Sequence, residues 1–479
     1  MAASFYSFPG YLFAMTTLRR AGNTLFWLLL GALVLISAGL YNGFPLVTSD
    51  TGTYLNSALE LSVPDDRPIT YGLWTLATGL RSSLWLVIFA QGLLLAWLLW
   101  RCMVAFVPRL QHPAGRLGLL LAATWLTGVS WYCSQLMPDI FTAVGMLALA
   151  LLLLTRPALP ERLALLAILL LAAIMHSSNL LSLLLTVLSV GAVGWQQRLF
   201  RRGVLQRASW LLALAVTLAG WVMLPGLHLA FGGSGEISKA SPAFLMARLS
   251  ETGVLEKFLH ENCGPQNQYK LCAFQNDLPN DAMLFMWDAN SPLQRTGGWN
   301  ANRDEYRHII RQILLSPRYY PLLVSESIQA TLRQLTHVGY GDGLTPFREN
   351  TSPYWKVGGY TPYELKEYMS SLQNRGLLDF KSLNERVYTV HLLALLAIGW
   401  LVLGAGRARV APAAVGLVLV CGAGLVSNAF VTGSLANVLD RLQGRVSWLL
   451  PWVALLLLAQ YLPVERWRPQ PHPAPESPH

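Results

Sequence analysis

The sequence predicts an all-α integral membrane protein of about ten transmembrane helices that carries a mostly helical extracytoplasmic domain. Three observations lead there. The 479 residues are 53% hydrophobic and only 13% charged, with a mean hydropathy of +0.41, whereas a soluble domain averages roughly a quarter charged residues. Apolar runs near the ~20 residues that cross a hydrocarbon core recur along the chain. Basic residues follow every second run, as expected of cytoplasmic loops.

The runs lie at 24–42, 83–107, 117–134, 139–155, 163–177, 179–195, 208–230, 386–404, 412–430 and 446–462. Arg19 and Arg20 precede the first. Arg109 and Arg116 follow the second, Arg156 and Arg162 the fourth, and Arg198, Arg201, Arg202 and Arg207 the sixth. Arg407 and Arg409 follow the eighth, and Arg466 and Arg468 the tenth. Both termini are therefore expected in the cytoplasm, since one missed helix would invert the pattern. Much of the net charge of +10 is then topological, and no nucleic-acid partner is implied. The first run is too long for a signal-peptide core and is expected to stay attached. The Pro-rich tail from Pro469 to His479 is expected to be disordered.

Four parts follow: a membrane module over 1–231 whose first outer loop is 43–82, an extracytoplasmic domain over 232–385, a second membrane module over 386–462, and a cytoplasmic tail over 463–479. Within the extracytoplasmic part, 241–261, 302–316 and 320–337 have helical apolar spacing, with Pro317 and Pro321 as punctuation. The stretch from Tyr340-Gly341-Asp342-Gly343 to Gly358-Gly359-Tyr360 reads as loop. Cys102, Cys133 and Cys421 fall in or beside apolar runs, where a thiol acts as a small hydrophobe. Cys263 and Cys272 fall in the outer domain around turn residues, and a disulfide in an oxidising compartment is expected.

Short motifs sit at the outer rim. Asp50 lies in Thr48-Ser49-Asp50-Thr51-Gly52-Thr53-Tyr54, just past the first run. Arg67-Pro68-Ile69-Thr70-Tyr71-Gly72-Leu73-Trp74 precedes the second, Met137-Pro138-Asp139 opens the fourth, and Asp440-Arg441-Leu442-Gln443-Gly444-Arg445 opens the last. This arrangement resembles the GT-C glycosyltransferase superfamily, whose members include protein O-mannosyltransferases and lipid A aminoarabinose transferases. An acidic residue soon after span one matches Asp50. An Arg-Pro-Pro-Leu-Tyr-like segment is similar to the one at Arg67, with Ile69 in place of the second proline. A basic residue opening the last span matches Arg441 or Arg445. The large outer domain sits between spans seven and eight, where many relatives carry theirs at the C-terminus.

The resemblance implies transfer of a sugar from a polyprenyl-phosphate donor to an extracytoplasmic acceptor, with inversion at the anomeric carbon. Such a reaction needs a base, cations for the departing phosphate and a groove for the lipid. Asp50 is the candidate base, with partial burial expected to raise its pKa; it would alternatively N-cap the helix beginning at Thr51. Arg67, Arg445 and Arg441 are candidate phosphate ligands, because a planar guanidinium grips phosphate oxygens bidentately and outer arginines ask for a reason. Asp139, His176, Asp66 and Tyr71 are candidate substrate contacts. Asp139 also suits a helix cap, and His176-Ser177-Ser178-Asn179 also suits a plain turn. Asp65 and Asp66 cannot both face one site. No cofactor is certain; a divalent metal shared by Asp50 and Asp139 is the one the residues would allow, although no Asp-x-Asp pair is present.

A P-loop and a Gly-x-Ser-x-Gly elbow are both absent, which argues against ATP-driven transport and α/β-hydrolase chemistry. An O-antigen polymerase or ligase using a diphosphate-linked donor, or a lipid flippase, remain the alternatives. The expected setting is a bacterial inner membrane with the site on its periplasmic face.

Overall fold

A computed structural model describes residues 9–265, 269–404, 406, 407 and 410–461, with 9–21 as backbone alone. Arg409, Arg466, Arg468 and the tail expected to be disordered lie outside the described residues. No strand forms among the described residues. An isolated parallel bridge joins Leu46 to Gln135.

In chain order the principal helices are α1 (Pro9–Leu35), α2 (Thr51–Glu60), α3 (Thr70–Gly79), α4 (Leu84–Phe106), α5 (Pro113–Leu126), α6 (Ile140–Leu154), α7 (Leu159–Met175), α8 (Ser177–Gln196) and α9 (Arg207–Ala230). There follow α10 (Ser241–Glu251), α11 (Val254–Asn262), α12 (Gly298–Leu315), α13 (Tyr320–Thr336), α14 (Ser352–Tyr360), α15 (Lys381–Leu403), α16 (Pro412–Leu435), α17 (Asp440–Ser447) and α18 (Leu449–Ala459).

Among the described residues six helices are long and apolar enough to cross a membrane: α4, α8, α9, α15, α16 and the continuous unit Asp440–Ala459 made by α17 and α18. The other expected spans are shorter pieces. The run at 24–42 breaks at Ile36, and that at 117–134 breaks at Thr127 and Gly128. α6 has 15 residues, or about 22 Å at 1.5 Å per residue, against the ~30 Å of a hydrocarbon core. It survives short because it is central. Every one of its residues is buried, enclosed by α4, α7, α8, α9 and α16, so it turns no face to solvent or lipid and need not match the thickness of the hydrocarbon core.

The outer sequence between α9 and α15 divides into two differently attached parts. Residues 243–319 have their own core, with Phe258, Phe285, Tyr306, Ile309 and Ile313 buried together. Tyr340, Val357, Tyr360 and Tyr368 instead join the core of the bundle. α13 lies between these parts, along the outer end of α16. Ser434 Oγ donates to the Ser327 carbonyl at 3.3 Å, while Tyr320, Val324, Ile328 and Leu332 form an exposed apolar row on another face.

The segment read as loop up to Tyr360 is in part helix, since Ser352–Tyr360 forms α14. Pro353 is tolerated in its first turn, where the missing N–H has no partner to lose. Packing on α2 does the rest. A Cβ at Gly52 would stand 2.9 Å from the Ser352 carbonyl carbon, so glycine there lets the two helices touch.

Cys263 and Cys272 are bonded, their Cα atoms 5.7 Å apart across a sequence separation of 9. Closing so short a loop stabilises by about 2–3 kcal/mol through the unfolded chain. Reduction, or Cys272→Ser, is expected to make residues 243–319 markedly more sensitive to limited trypsinolysis and to leave the bundle intact. Equal digestion rates would show that the 243–319 core holds without it.

Candidate functional site

Two loops are pinned side by side at one end of the bundle. Leu46 N–H donates to the Ser134 carbonyl and Leu136 N–H to the Leu46 carbonyl, both at 2.9 Å. Thr51 Oγ1 donates to the Leu136 carbonyl at 3.3 Å. Gln373 secures the first loop from the outer side, accepting from Val47 N–H at 3.1 Å and donating to its carbonyl at 2.7 Å. These bonds set Asp50 at the start of α2 and Asp139 at the start of α6 on a common frame. Neither carboxylate caps its helix, so the alternative reading of both as caps is not what the structure shows.

Asp50 is clamped between two guanidinium groups. Arg67 Nη2 donates to its Oδ1 at 2.6 Å, and Arg441 Nη1 lies 3.1 Å from Oδ2. Arg67 also pairs through Nε with Asp66 Oδ2 at 3.2 Å and lies over the Tyr54 ring at 5.6 Å. Asp65 turns the other way, to Lys239 at 2.8 Å. Adjacent residues thus face apart, as expected.

Burial pushes the Asp50 carboxyl up, but Arg67 and Arg441 outweigh it, and the net direction is below the ordinary carboxylate value. This corrects the expectation that burial would raise it. A carboxylate between two cations loses more by protonation than it gains by shedding its desolvation cost. Asp66, with less help from Arg67, is raised by burial.

One turn along α17 from Arg441, Arg445 is fully buried. Its Nη1 donates to Asp139 Oδ1 at 3.2 Å, its Nη2 to Ser178 Oγ at 2.9 Å and Asn428 Oδ1 at 2.8 Å, and its Nε to the same Asn428 oxygen at 3.3 Å. Its donors are directed into the bundle, so the structure places Arg445 as the mate of Asp139 rather than as an open phosphate ligand. The other oxygen of Asp139 is buried without a hydrogen-bond partner. α17 can approach so closely because position 444 is glycine, where a Cβ would stand 2.9 Å from the Gly339 carbonyl oxygen.

His176 caps α8: its Nδ1 accepts from Ser178 N–H at 3.2 Å and lies 2.8 Å from Ser178 Oγ. Through Ser178 it touches Arg445, so the turn is both structural and part of the cluster. Tyr71 does not offer its hydroxyl to a substrate. It donates to Gln91 Oε1 at 2.7 Å, and Gln91 in turn bonds the Cys133 and Gln135 carbonyls at 3.0 Å. The Tyr71 ring packs edge-on to Tyr54 and Phe141. Its role is to support the floor beneath Tyr54.

Among the described residues no group of three or more His, Cys, Asp or Glu side chains could hold a metal. Asp50 and Asp139 face arginines, so the donor set does not fit the divalent ion considered from sequence. Two cavities lie elsewhere. A groove of about 470 Å³ with Leu245, Ile310, Leu314, Leu315, Arg307 and Arg311 runs between α10 and α12. One of about 210 Å³ with Arg101, Thr155 and Glu161 lies at the opposite end of the bundle.

Sequence reasoning missed Asn428, whose carboxamide oxygen orients Arg445. A lone asparagine inside the apolar run of α16 is the signal that could have found it, because a buried amide must be hydrogen-bonded. It also missed Asp342, which accepts from the Arg441 backbone N–H at 3.3 Å. No family model, curated protein or solved structure matches the chain.

Proposed function

We propose that the chain is an integral membrane glycosyltransferase that moves a sugar from a polyprenyl-phosphate-linked donor to an extracytoplasmic glycan, lipid or protein. The observation that carries this reading is the clamp on Asp50: a buried carboxylate at the bundle's outer mouth, with one guanidinium on each oxygen. The reading takes the ten-span topology of the GT-C superfamily that the sequence resembles, with both termini in the cytoplasm and the cluster on the periplasmic face of a bacterial inner membrane.

In this scheme Arg67 and Arg441 hold the donor phosphate, and Asp50 accepts the proton of the acceptor hydroxyl. The acceptor oxygen attacks the anomeric carbon, the carbon–oxygen bond to phosphate breaks on the opposite face, and the electron pair leaves on the polyprenyl phosphate. The two arginines stabilise that developing charge, which is where fixed cations act most strongly. Arg445, Asn428 and Asp139 form the rigid wall behind them, and His176 and Asp66 position Ser178 and Arg67.

Purified protein in lipid nanodiscs is expected to release polyprenyl phosphate from at least one member of a panel of polyprenyl-phosphate sugars. Arg441→Gln is expected to weaken donor use by about 10–100-fold, as for loss of one charge-assisted bond worth roughly 1.5–3 kcal/mol. Turnover of a diphosphate-linked donor alone would overturn the proposal in favour of polymerase or ligase chemistry. Lipid translocation with no bond cleavage would overturn it in favour of a flippase.

A further inference from the structure

We propose that Asp50 occupies the donor's own anion seat in the resting protein, and that the donor's phosphodiester entering between Arg67 and Arg441 displaces it and so releases it to act as base. The inference rests on the glycosyltransferase reading and adds a gate to it.

The geometry is that of an occupied anion site. Arg67 reaches Oδ1 at 2.6 Å and Arg441 reaches Oδ2 at 3.1 Å, from separate parts of the chain. Two converging guanidiniums suit the two non-bridging oxygens of a phosphodiester as they suit a carboxylate's two. A carboxylate so held lies against a cation at each oxygen, which weakens it as a base toward an acceptor hydroxyl. Drawing the cations onto another anion restores that strength.

The seat can change occupant at little structural cost. Arg67 keeps Asp66 and the Tyr54 ring as partners when Asp50 leaves. Arg441 is held by its backbone, through Asp342 and through Tyr132 Oη, which donates to the Arg441 carbonyl at 3.0 Å. The next turn is locked by Arg445 on Asp139 and Asn428. The loop before α2 stays pinned, so the exchange is a rotation of the Asp50 side chain, which has no cap bond to lose and, besides the arginines, leaves the Ser49 hydroxyl that donates to Oδ1 at 3.2 Å.

Exchange would also make Asp50 a better base. Burial pushes its carboxyl up and the arginines hold it down, so a phosphate that engages the arginines leaves burial as the dominant influence. The base would then be weak in the empty site and strong in the loaded one.

Two measurements test this. Binding of inorganic phosphate and of decaprenyl phosphate is compared, by calorimetry in nanodiscs, for wild type and Asp50→Asn. Removing the internal competitor is expected to tighten binding by about tenfold or more, since apparent affinity scales with the fraction of open seats. Tightening for both probes identifies the phosphate group as sufficient, and for decaprenyl phosphate alone adds the chain as a requirement. Unchanged or weaker binding by a folded Asp50→Asn would overturn the gate while leaving the transferase reading in place.

The second measurement needs no variant. On a donor that turns over, the acid limb of kcat, which reports the loaded enzyme, is expected at higher pH than that of kcat/KM, which reports the free enzyme. Coincident limbs would overturn the gate. Absence of turnover on every polyprenyl-phosphate sugar, with no binding of either probe to either protein, would sink the transferase reading as well.

Discussion

Arg445→Met is expected to be the most destabilising single substitution at the outer end of the bundle, at about 3–5 kcal/mol, because it strands a buried charge. Asp139 is 2% exposed, and its second oxygen already lacks a hydrogen-bond partner. Without Arg445 the carboxylate must remain charged in a site built to exclude water or take up a proton. Asn428 loses two donors at the same time. The pair is not expected to be favourable as a whole, since desolvating both ions offsets much of their attraction. Hence Arg445→Met combined with Asp139→Leu is expected to recover a large part of the loss. Thermal unfolding in detergent, run as a double-mutant cycle, checks both statements. A single variant that melts with wild type would show that water reaches Asp139 and that the pair is not dry.

Asp50→Asn is expected to lower transfer by about 10²–10⁴-fold, the range for loss of a positioned general base. The amide keeps the size of the side chain but not its charge, and the loop and α2 are expected to hold because backbone bonds from Leu46 to Ser134 and Leu136 fix them. The fall should appear in kcat, because the amide takes no proton at the moment of attack while donor binding persists. A fall confined to KM would instead make Asp50 a substrate ligand. Unchanged kcat and KM would remove it from the mechanism and move the search to Asp139 and Asp66.

Much of the helical membrane architecture and the membership of the charged cluster were legible in sequence, for one reason. Charges are costly near a bilayer, so those that occur there stand out, and Asp50, Arg67, Asp139, Arg441 and Arg445 all converge in the structure. What escaped was partnership. That Arg445 serves Asp139 while Arg441 serves Asp50 depends on which face of α17 meets which loop, and residues four apart on a helix look equivalent in sequence. Tyr71 misled because aromatic residues favour headgroup depth, whereas here a glutamine of α4 claims the hydroxyl. α14 escaped because Gly358 and Gly359 lower helix propensity, and packing on α2 and on the residues that follow makes up the loss. The breaks at Ile36 and at Thr127 with Gly128 lie inside continuous apolar runs, where hydropathy gives no warning.

The bridge between Leu46 and Gln135 has a mechanical consequence. A helix in a bilayer of varying thickness answers by tilting or sliding, and groups carried on separate helices would drift apart as it did. Asp50 and Asp139 are instead riveted through their loops, Leu46 to Ser134 and Leu136 by backbone bonds, so they move as one piece. Changes in acyl-chain length should therefore shift how deep the pair sits without changing the spacing between its two members.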